Sequence, residues 1–434
     1  MKDIAIGCIA DDFTGAGDAA SFLASSGLQT VLLSEIAVDD TLPADCQAVV
    51  VALKSRNALA ETAVKDSLKA LEWLKEKGAR QIYIKYCSTF DSTDKGNIGP
   101  VIDAFLETLQ ETYTVICPSL PVNGRTVRNG RLFVNGIPLD ESPMKDHPLT
   151  PMWDSRISQL MKKQGTYDCL VLDREEMEKS FGEILEKVKR FGETRPHFYV
   201  VPEYETQKDG EKIVNVFGNL PVLTGGSGLL EPLAGVLSSK ENKREFRKSF
   251  RSMAPQSCST KTLLLAGSCS AMTLKQIQFY QSQGLPSLKI SPSDVLAGIL
   301  TPKEALDRLL ESGGTQFLIY SSDTPQQVAR IQQDIGNERA CGCLEQFMAE
   351  TAVLAYRNGF RSFIVAGGET SGAVTMALGF RSFLIGPSVA PGVPLLIPVR
   401  DLEVSLILKS GNFGKEDFFA QAVRLAEDRA GGMQ

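Results

Sequence analysis

The fold of this chain is decided close to its start, by residues 4–20, which read IAIGCIADDFTGAGDAA. The apolar residues 4–9 predict a buried strand, and residues 17–26 have the apolar spacing of a helix. The glycines between the two segments predict a tight turn that gathers backbone N–H groups at the start of the helix. A helix N-terminus of this kind binds an anion favourably.

Three aspartates, Asp11, Asp12 and Asp18, lie in this same turn. Carboxylates oppose a bound phosphate or carboxylate unless they take up a proton, hold a metal ion or bind hydroxyl groups. The combination therefore predicts a small polyhydroxylated substrate, together with either phosphoryl-transfer or proton-transfer chemistry.

Two known motifs are similar to this turn. Gly15, Gly17 and Ala20 fit a loose dinucleotide-binding fingerprint, although the aspartates before them would then face a pyrophosphate. In that interpretation Glu35, near the end of the next apolar run, is the ribose-binding acid. The run Gly-Ala-Gly-Asp also occurs in ribokinase-like sugar kinases, where the aspartate is the base and the amides form an anion hole. In those enzymes the motif lies late in the chain rather than at its start.

The composition is that of a globular enzyme. The chain has 434 residues, a length that suits two domains. Its net charge is -6, with 46 basic and 52 acidic residues well mixed, so we expect neither a nucleic-acid nor a membrane partner. The nine cysteines, several of them inside apolar runs, are typical of reduced thiols in a cytoplasmic protein. The oligomeric state is left open, with a homodimer as one candidate.

Strand-length apolar runs alternate with amphipathic helical segments, which predicts a parallel α/β architecture in two domains. The charged and polar segment 238–260 interrupts the alternation, so we predict an acid-sugar domain over 1–237, a linker over 238–260 and a nucleotide domain over 261–434. Each domain is expected to be a mainly parallel sheet flanked by helices. Strands are predicted near residues 4–9, 29–33, 48–53, 81–86, 113–117, 168–172, 198–201, 262–266, 286–290, 316–320, 362–366, 382–385 and 404–408. Helices in the first domain are predicted near residues 17–26, 60–76, 98–109, 152–163, 175–190 and 228–237.

A polar loop follows the strand at 81–86, and residues 87–99 read CSTFDSTDKGNIG. Lys85 and helix-terminal amides are suited to a carboxylate, whereas Asp91 and Asn97 are suited to hydroxyl groups. Arg56 follows another strand and could bind a carboxylate in a bidentate manner. The alternative is an ordinary loop whose Ser and Thr residues cap the next helix. The candidate substrate-binding residues are Asp11, Arg56, Lys85, Ser88, Thr89, Asp91 and Asn97.

The second half contains three turns in which glycine follows a strand. They lie at 266–270 (AGSCS), 366–372 (AGGETSG) and 409–414 (KSGNFG). Paired glycines let backbone amides approach a phosphate, and Thr370 and Ser371 can donate hydroxyl groups to it. One such turn could be purely structural, but three in one domain favour a nucleotide site.

In combination, these motifs closely resemble the four-carbon acid sugar kinases. The resemblance rests on ADDFTGAGD (10–18), CSTFDST (87–93) with GNIG (96–99), and GGETSG (367–372), which occur in this order over nearly the whole chain. Many members of the family have an Asp-Ser-Thr-Leu-Arg-Gly loop after the lysine strand. The loop at 87–93 and the segment LPVNGRT (120–126) are instead similar to the 3-oxo-tetronate kinase branch.

The resemblance implies an N-terminal domain for the acid sugar, a C-terminal domain for ATP, and an active site in the cleft between them. It implies transfer of the γ-phosphoryl group to the terminal hydroxyl, with Mg²⁺ bridging the ATP phosphates. Asp12 is the favoured base and Asp18 the second candidate; the ligands of the metal are not identified. The implied ATP-binding residues are Ser268, Gly367, Gly368, Glu369, Thr370, Ser371 and Gly411.

The residues therefore predict an ATP-dependent kinase for a four-carbon sugar acid, and the resemblance implies that it converts 3-oxo-tetronate to 3-oxo-tetronate 4-phosphate in acid-sugar catabolism. A threonate or erythronate kinase of the same family is the alternative substrate assignment. More distant alternatives are a nucleotide-cofactor dehydrogenase and a non-catalytic sugar-acid sensor.

Overall fold

The computed structural model describes residues 4–36, 42–146, 150–238 and 261–430. The chain forms two compact units, Met1–Arg244 and Glu245–Gln434. The predicted linker over 238–260 lies outside the described residues except for Ser238, and so does Cys258. Within the described ranges, no helix is both long and apolar enough to cross a membrane.

The first unit is built on a parallel sheet. Its strands are β1 (Ile6–Ala10), β2 (Thr30–Leu33), β3 (Ala48–Ala52), β4 (Gln81–Lys85), β5 (Tyr113–Cys117), β6 (Arg125–Arg128), β7 (Arg131–Val134), β8 (Ile137–Pro138), β9 (Cys169–Leu172), β10 (Phe198–Pro202) and β11 (Val222–Gly225). Eight of them pair in parallel in the order β2-β3-β1-β4-β11-β5-β10-β9. The other three form a small antiparallel sheet, β6-β7-β8.

Helices connect these parallel strands, as the alternating pattern predicts. They are α1 (Phe13–Ser25), α2 (Ala60–Glu76), α3 (Ile98–Leu109), α4 (Ile157–Gln164), α5 (Arg174–Glu178), α6 (Phe181–Gly192), α7 (Gln207–Phe217) and α8 (Leu230–Leu237). In α2 the buried residues Ala63, Ala70 and Leu74 share one face, which is why this segment is a helix that packs on the core. The strands β1, β3 and β4 are buried along their whole length, as a sheet covered on both faces requires.

The register brings the carboxyl ends of neighbouring strands to one edge of this sheet. Ala10 of β1 lies opposite Ala52 of β3 and Lys85 of β4. Gly225 of β11 lies opposite Lys85 on one side and Cys117 of β5 on the other. The loops that follow these strands are therefore neighbours, although they are far apart in the sequence.

The second unit has a mixed sheet. Its strands are β12 (Thr262–Ala266), β13 (Ser287–Lys289), β14 (Gln316–Tyr320), β15 (Ser362–Ala366), β16 (Ser382–Ala390), β17 (Val393–Pro398) and β18 (Ser405–Lys409). The order β13-β14-β12-β15-β18 is parallel, and β17 and β16 then continue the sheet in antiparallel pairing. Its helices are α9 (Ala271–Ser282), α10 (Pro292–Leu296), α11 (Pro302–Glu311), α12 (Pro325–Ile335), α13 (Asn337–Arg357), α14 (Gly368–Leu378) and α15 (Phe418–Ala430).

The strand pattern in the sequence misses several elements. β11 is short and ends in glycine, and β17 contains Pro394 and Pro398, which argue against a strand. The predicted helix over 175–190 is two helices, because Ser180 starts a new one with a capping box. The α/β fold, with a mainly parallel sheet flanked by helices, is confirmed.

Candidate functional site

The turn after β1 differs from the predicted glycine loop. α1 already begins at Phe13, so Gly15 and Gly17 lie inside the helix rather than in a turn before it. Asp12 is the N-cap residue, and its Oδ1 accepts a hydrogen bond of 2.7 Å from the Gly15 N–H. An acidic N-cap starts the helix this early because it satisfies an N–H group that has no partner within the helix. The predicted helix start at residue 17 is therefore wrong.

Gly15 is required by a close approach rather than by backbone conformation. A Cβ atom built at Gly15 would lie 2.4 Å from Asp12 Oδ1 and 2.6 Å from Lys85 Nζ. Gly17, two residues further on, has no atom within 4 Å of the corresponding point apart from its chain neighbours and the backbone of its own helix. The first glycine therefore makes room for Lys85, at the end of β4, to approach the first turn of α1.

Arg56 binds two of the three aspartates. Its Nε and one terminal nitrogen donate to the two carboxylate oxygens of Asp11 at 2.9 and 2.8 Å. Its other terminal nitrogen lies 2.9 Å from Oδ2 of Asp12. The backbone carbonyl of Asp11 also accepts hydrogen bonds from the N–H groups of Ser55 and Arg56, so the loop after β3 is fixed to the loop after β1.

Asp18 belongs to the same cluster but is more deeply buried. Its Oδ2 accepts a hydrogen bond from the Ser227 hydroxyl, and its Oδ1 has no hydrogen-bond partner among the described residues. Ser227 follows β11 in the run Thr-Gly-Gly-Ser-Gly at 224–228, which the sequence interpretation did not select. The signal was present, because this run repeats the strand-glycine-helix pattern of the turns in the second half.

The charges of this cluster perturb one another. Burial raises the pKa of Asp12, and the positive charge of Arg56 opposes the rise. Burial likewise raises the pKa of Asp18, with Lys85 opposing. Burial would lower the pKa of Lys85, but the charges of Asp11, Asp12 and Asp18 outweigh it, so this pKa is raised. The carboxylates of Asp11, Asp12 and Asp18 thus face only two positive charges, those of Arg56 and Lys85. The cluster therefore has a net negative charge when all three aspartates are ionised.

The loop after β4 holds the remaining candidates from the first half. Thr89 donates to Asp91 Oδ1 at 2.6 Å and lies 3.0 Å from the Cys87 sulfur. The side-chain N–H groups of Asn97 donate to the carbonyls of Ser55 at 2.7 Å and Ala58 at 3.0 Å. The amide of Asn97 therefore fixes the loop that carries Arg56, and its predicted contact with a sugar hydroxyl stays a prediction.

Ser88 lies at the same edge of the sheet as Ser227. A Cβ atom at Gly226 would lie 3.4 Å from Cβ of Ser88 and 2.6 Å from the carbonyl oxygen of Pro118. The loops after β4, β5 and β11 therefore meet at Gly226. Ser88, in the loop after β4, lies against Gly226. Gly226 directly precedes Ser227, whose hydroxyl donates to Asp18.

In the second unit, the structure brings the three glycine turns together. Ala366 of β15 lies between Ala266 of β12 and Lys409 of β18 in the register. The N–H groups of Gly267 and Ser268 donate to the Ala366 carbonyl at 3.0 and 3.1 Å, and the Gly367 N–H donates to the Lys409 carbonyl at 2.9 Å. The three turns are thus joined directly through their backbones.

Two close approaches explain glycines in these turns. A Cβ atom at Gly267 would lie 2.1 Å from Oγ1 of Thr370, and one at Gly411 would lie 2.4 Å from Oγ of Ser268. Gly367 has a φ angle of 133°, a backbone conformation that favours glycine. The turns therefore pack against one another through Thr370 and Ser268, both of which the sequence interpretation selected.

The start of α14 supplies the other selected residues. Gly368 and Glu369 are exposed at its first turn, whereas the Ser371 hydroxyl is buried and has no hydrogen-bond partner among the described residues. A helix N-terminus with exposed glycine can bring backbone N–H groups close to an anion. Groups of three or more His, Cys, Asp or Glu side chains that could hold a metal ion are absent from the part of the chain that the structure describes.

Comparison with known families matches both units. Residues 6–233 match the sugar-binding N-terminal domain family, and residues 263–419 match the nucleotide-binding C-terminal domain family. A 3-oxo-tetronate kinase of Brucella melitensis is 40% identical over 433 residues, which are 98% of this chain and 97% of that protein. A 3-oxo-tetronate kinase of Salmonella typhimurium is 41% identical over 426 residues, or 96% of this chain and 98% of that protein.

Two solved structures are similar over almost the whole chain. A protein of Salmonella typhimurium LT2, described as a proposed tRNA synthase, has a TM-score of 0.87 at 39% identity and covers 97% of this chain and 99% of its own. A Haemophilus influenzae protein from a family of unknown function has a TM-score of 0.80 at 38% identity, with coverage of 97% and 100%.

A match to the sugar-binding domain family, followed by a match to the nucleotide-binding domain family, defines the class as two-domain α/β sugar kinases, in line with the relatives named 3-oxo-tetronate kinase. Within that class, the chain belongs to the four-carbon acid sugar kinase family. The family resemblance of the motifs is thereby confirmed, whereas the roles of individual residues remain predictions.

Proposed function

We propose that this chain is an ATP-dependent kinase that phosphorylates the terminal hydroxyl of 3-oxo-tetronate, giving 3-oxo-tetronate 4-phosphate and ADP in acid-sugar catabolism. The observation that carries this proposal is the 40–41% identity, over nearly the whole chain, to relatives named 3-oxo-tetronate kinase. The side chains support the same chemistry. Carboxylates of the first unit can accept hydrogen bonds and a proton from a sugar hydroxyl, and the glycine turns of the second unit suit phosphates.

Asp12 is the base that we propose for the attacking hydroxyl. A base must touch the proton that it accepts, and the Asp12 side chain is 30% exposed whereas Asp18 as a whole residue is 8% exposed. Burial raises the pKa of Asp12, which makes its carboxylate a stronger proton acceptor. Asp18, with its unpartnered Oδ1, is the second candidate. Asp12 would accept the hydroxyl proton as the new O–P bond forms and the bond to ADP breaks.

The excess negative charge around Asp11, Asp12 and Asp18 indicates which end of the substrate, the carboxylate or the terminal hydroxyl, binds beside these residues. A substrate carboxylate beside Asp11, Asp12 and Asp18 would be repelled, whereas a hydroxyl would be accepted as a hydrogen-bond donor. Arg56 is already bound to two aspartates, and Lys85 lies among all three. We therefore assign the terminal hydroxyl to this cluster and the carboxylate to Ser88 in the loop after β4, since the Thr89 hydroxyl already donates to Asp91. Direct carboxylate binding by Arg56 or Lys85 stays the alternative.

ATP is proposed to bind at the three joined turns of the second unit, with its phosphates near Ser268, Gly367 and Gly411. The described residues offer no cage of acidic ligands for a metal ion. This fits a Mg²⁺ ion that enters with ATP, since protein sites often bind Mg²⁺ mainly through substrate phosphates and water. When bound, Mg²⁺ neutralises charge on the phosphates. The proposed compartment is the cytoplasm, and the proposed partners are the two small-molecule substrates.

The test is an ADP-release assay on the purified full chain with ATP, Mg²⁺ and a panel of 3-oxo-tetronates, threonates and erythronates. We expect the highest kcat/KM for one 3-oxo-tetronate, and ³¹P NMR should show a phosphate monoester on C4. A higher kcat/KM for threonate or erythronate would contradict the substrate assignment but retain the kinase. Cofactor-dependent oxidation without ADP release, or binding without turnover, would contradict the kinase itself.

A further inference from the structure

Lys409, the last residue of β18, is a buried lysine whose partners are all neutral. Only 1% of its surface is exposed. Its Nζ donates to the carbonyl of Gly411 at 2.7 Å, to the carbonyl of Ser410 at 3.1 Å and to Oγ1 of Thr273 at 3.1 Å. An ammonium group has three N–H donors, so each of them has one acceptor.

No carboxylate of the described residues forms an ion pair with this ammonium group. The comparison with Lys85 shows how unusual this is, because both lysines end a strand and both are buried. Three aspartates raise the pKa of Lys85, whereas burial, with no opposing charge, lowers the pKa of Lys409 to about 8. A buried charge without a counterion is unfavourable unless a ligand supplies one.

The position of Lys409 points to that ligand. Its backbone carbonyl accepts from the Gly367 N–H, and its side chain binds the carbonyl of Gly411. Gly411 in turn packs on Ser268, and Thr273 in the first turn of α9 donates to the Gly411 carbonyl at 2.9 Å. Lys409 thus contacts the turn at 366–372 through its backbone and its own turn at 409–414 through its side chain. The turn at 266–270 packs against Gly411, whose carbonyl Lys409 binds.

We propose that Lys409 is a positioning residue of the nucleotide site, which fixes the turn at Ser410 and Gly411 and supplies the positive charge that the nucleotide phosphates need. Its own donors are directed at the protein, so it acts on the phosphates through the turn and through its charge. The inference rests on the proposed function, because it requires a nucleotide at the three turns. It assigns a role to a residue outside the ATP-binding set that the motifs select.

The test compares adenosine and ADP binding to the full chain by isothermal titration calorimetry. Lys409→Met should weaken ADP binding by about 30-fold if a phosphate binds about 8 Å from the charge, at an effective dielectric constant of about 20. Binding of adenosine, which has no phosphate, should change less than about threefold. Lys409→Arg should recover most of the ADP affinity, because it retains the charge.

Two further variants separate charge from structure. Thr273→Val removes one hydroxyl partner but retains the lysine, and it should weaken ADP binding less than Lys409→Met. Lys275→Met removes an exposed lysine that pairs with Glu416 at 3.0 Å, and it should leave ADP binding unchanged. Equal losses for adenosine and ADP in Lys409→Met, or no loss for ADP, would overturn the proposal. If the unaltered protein binds no ADP, the proposed function fails instead.

The unaltered protein provides a measurement that does not depend on how a variant folds. Burial lowers the pKa of Lys409 to about 8, and a nearby phosphate should raise it, so ADP binding should take up a fraction of a proton at some pH between about 7 and 9. Calorimetry in two buffers of different ionisation enthalpy measures this uptake, and no uptake would contradict the proposal. The charged groups on the elements around Lys409 are Lys275 on α9, Glu369 on α14, Lys415, Glu416 and Asp417 before α15, and Arg424, Glu427, Asp428 and Arg429 on α15. Lys275 and Glu416 pair with each other, Asp417 accepts from Gln421, and Glu369 is exposed.

Discussion

Replacing Gly15 by alanine tests whether the close approach of Lys85 to α1 matters for catalysis. The new Cβ would lie 2.4 Å from Asp12 Oδ1 and 2.6 Å from Lys85 Nζ, so both charged groups must move. A displacement of about 1 Å in a catalytic cluster costs about 100-fold in rate. We therefore expect Gly15→Ala to lower kcat by about that factor.

Gly17→Ala is the matched control, because it makes the same change in the same helix where no atom lies within 4 Å. It should retain activity and raise the free energy of unfolding by about 0.5–1 kcal/mol, the helix preference of alanine over glycine. In Gly15→Ala the same gain is offset by about 1 kcal/mol from the weakened Asp12 cap. The assays are ADP release and thermal unfolding. Wild-type turnover in Gly15→Ala, or equal losses in both variants, would refute the reasoning.

Further predictions concern the carboxylates and the second unit. Asp12→Asn should lower kcat by roughly 10²–10⁴-fold with a small change in KM, measured by ADP release, and a smaller loss than in Asp18→Asn would move the base to Asp18. Because burial raises the pKa of Asp18, its ionised form destabilises the fold, so Asp18→Asn should raise Tm at pH 7 and not at pH 3, where the native residue is protonated. Lys85→Met should raise the KM for the sugar acid more than it lowers kcat if Lys85 holds the carboxylate, and should mainly lower kcat if it positions Asp12. Gly411→Ala should weaken ADP binding in calorimetry because its Cβ meets Ser268, whereas Gly372→Ala, with open space around it, should not.

The parts of the fold that sequence could predict are those with strong local patterns. Strands such as β3 and β12 are short runs of apolar residues that are buried throughout. A continuous apolar run of about five residues, too short for a typical helix, predicts a buried strand. The elements that were missed have conflicting local signals. β17 contains two prolines, and its pairing with β16 and β18 outweighs their local preference. The start of α1 contains two glycines, and the N-cap hydrogen bond of Asp12 outweighs their low helix preference.

The residue types of the candidate site in the first unit could be predicted from the sequence, but the hydrogen bonds and ion pairs between those residues could not. The motifs selected Asp11, Asp12 and Asp18 in one turn, and Arg56 and Lys85 separately as carboxylate binders at the ends of other strands. The structure brings all five together. The sequence gives no sign that Arg56 would bind the aspartates rather than stay free for a substrate, because that depends on the register of β3 beside β1. The glycine run at 224–228 marks Ser227 as a candidate, but no local pattern links Ser227 to Asp18, which lies 209 residues away.

In the proposed function, the same strand-end geometry would serve two kinds of substrate group, and the surroundings of the two buried lysines account for the difference. In both units a strand delivers a lysine to the carboxyl edge of the sheet, beside glycines that let neighbouring groups approach. Around Lys85 the chain adds three carboxylates, so the cluster repels anions and can accept a proton from a hydroxyl group. Around Lys409 it adds only neutral oxygens, so the unbalanced charge is positive and favours phosphate. In the proposed function, the acidic side chains, more than the lysines or glycines, would decide which unit receives the acceptor and which receives the nucleotide.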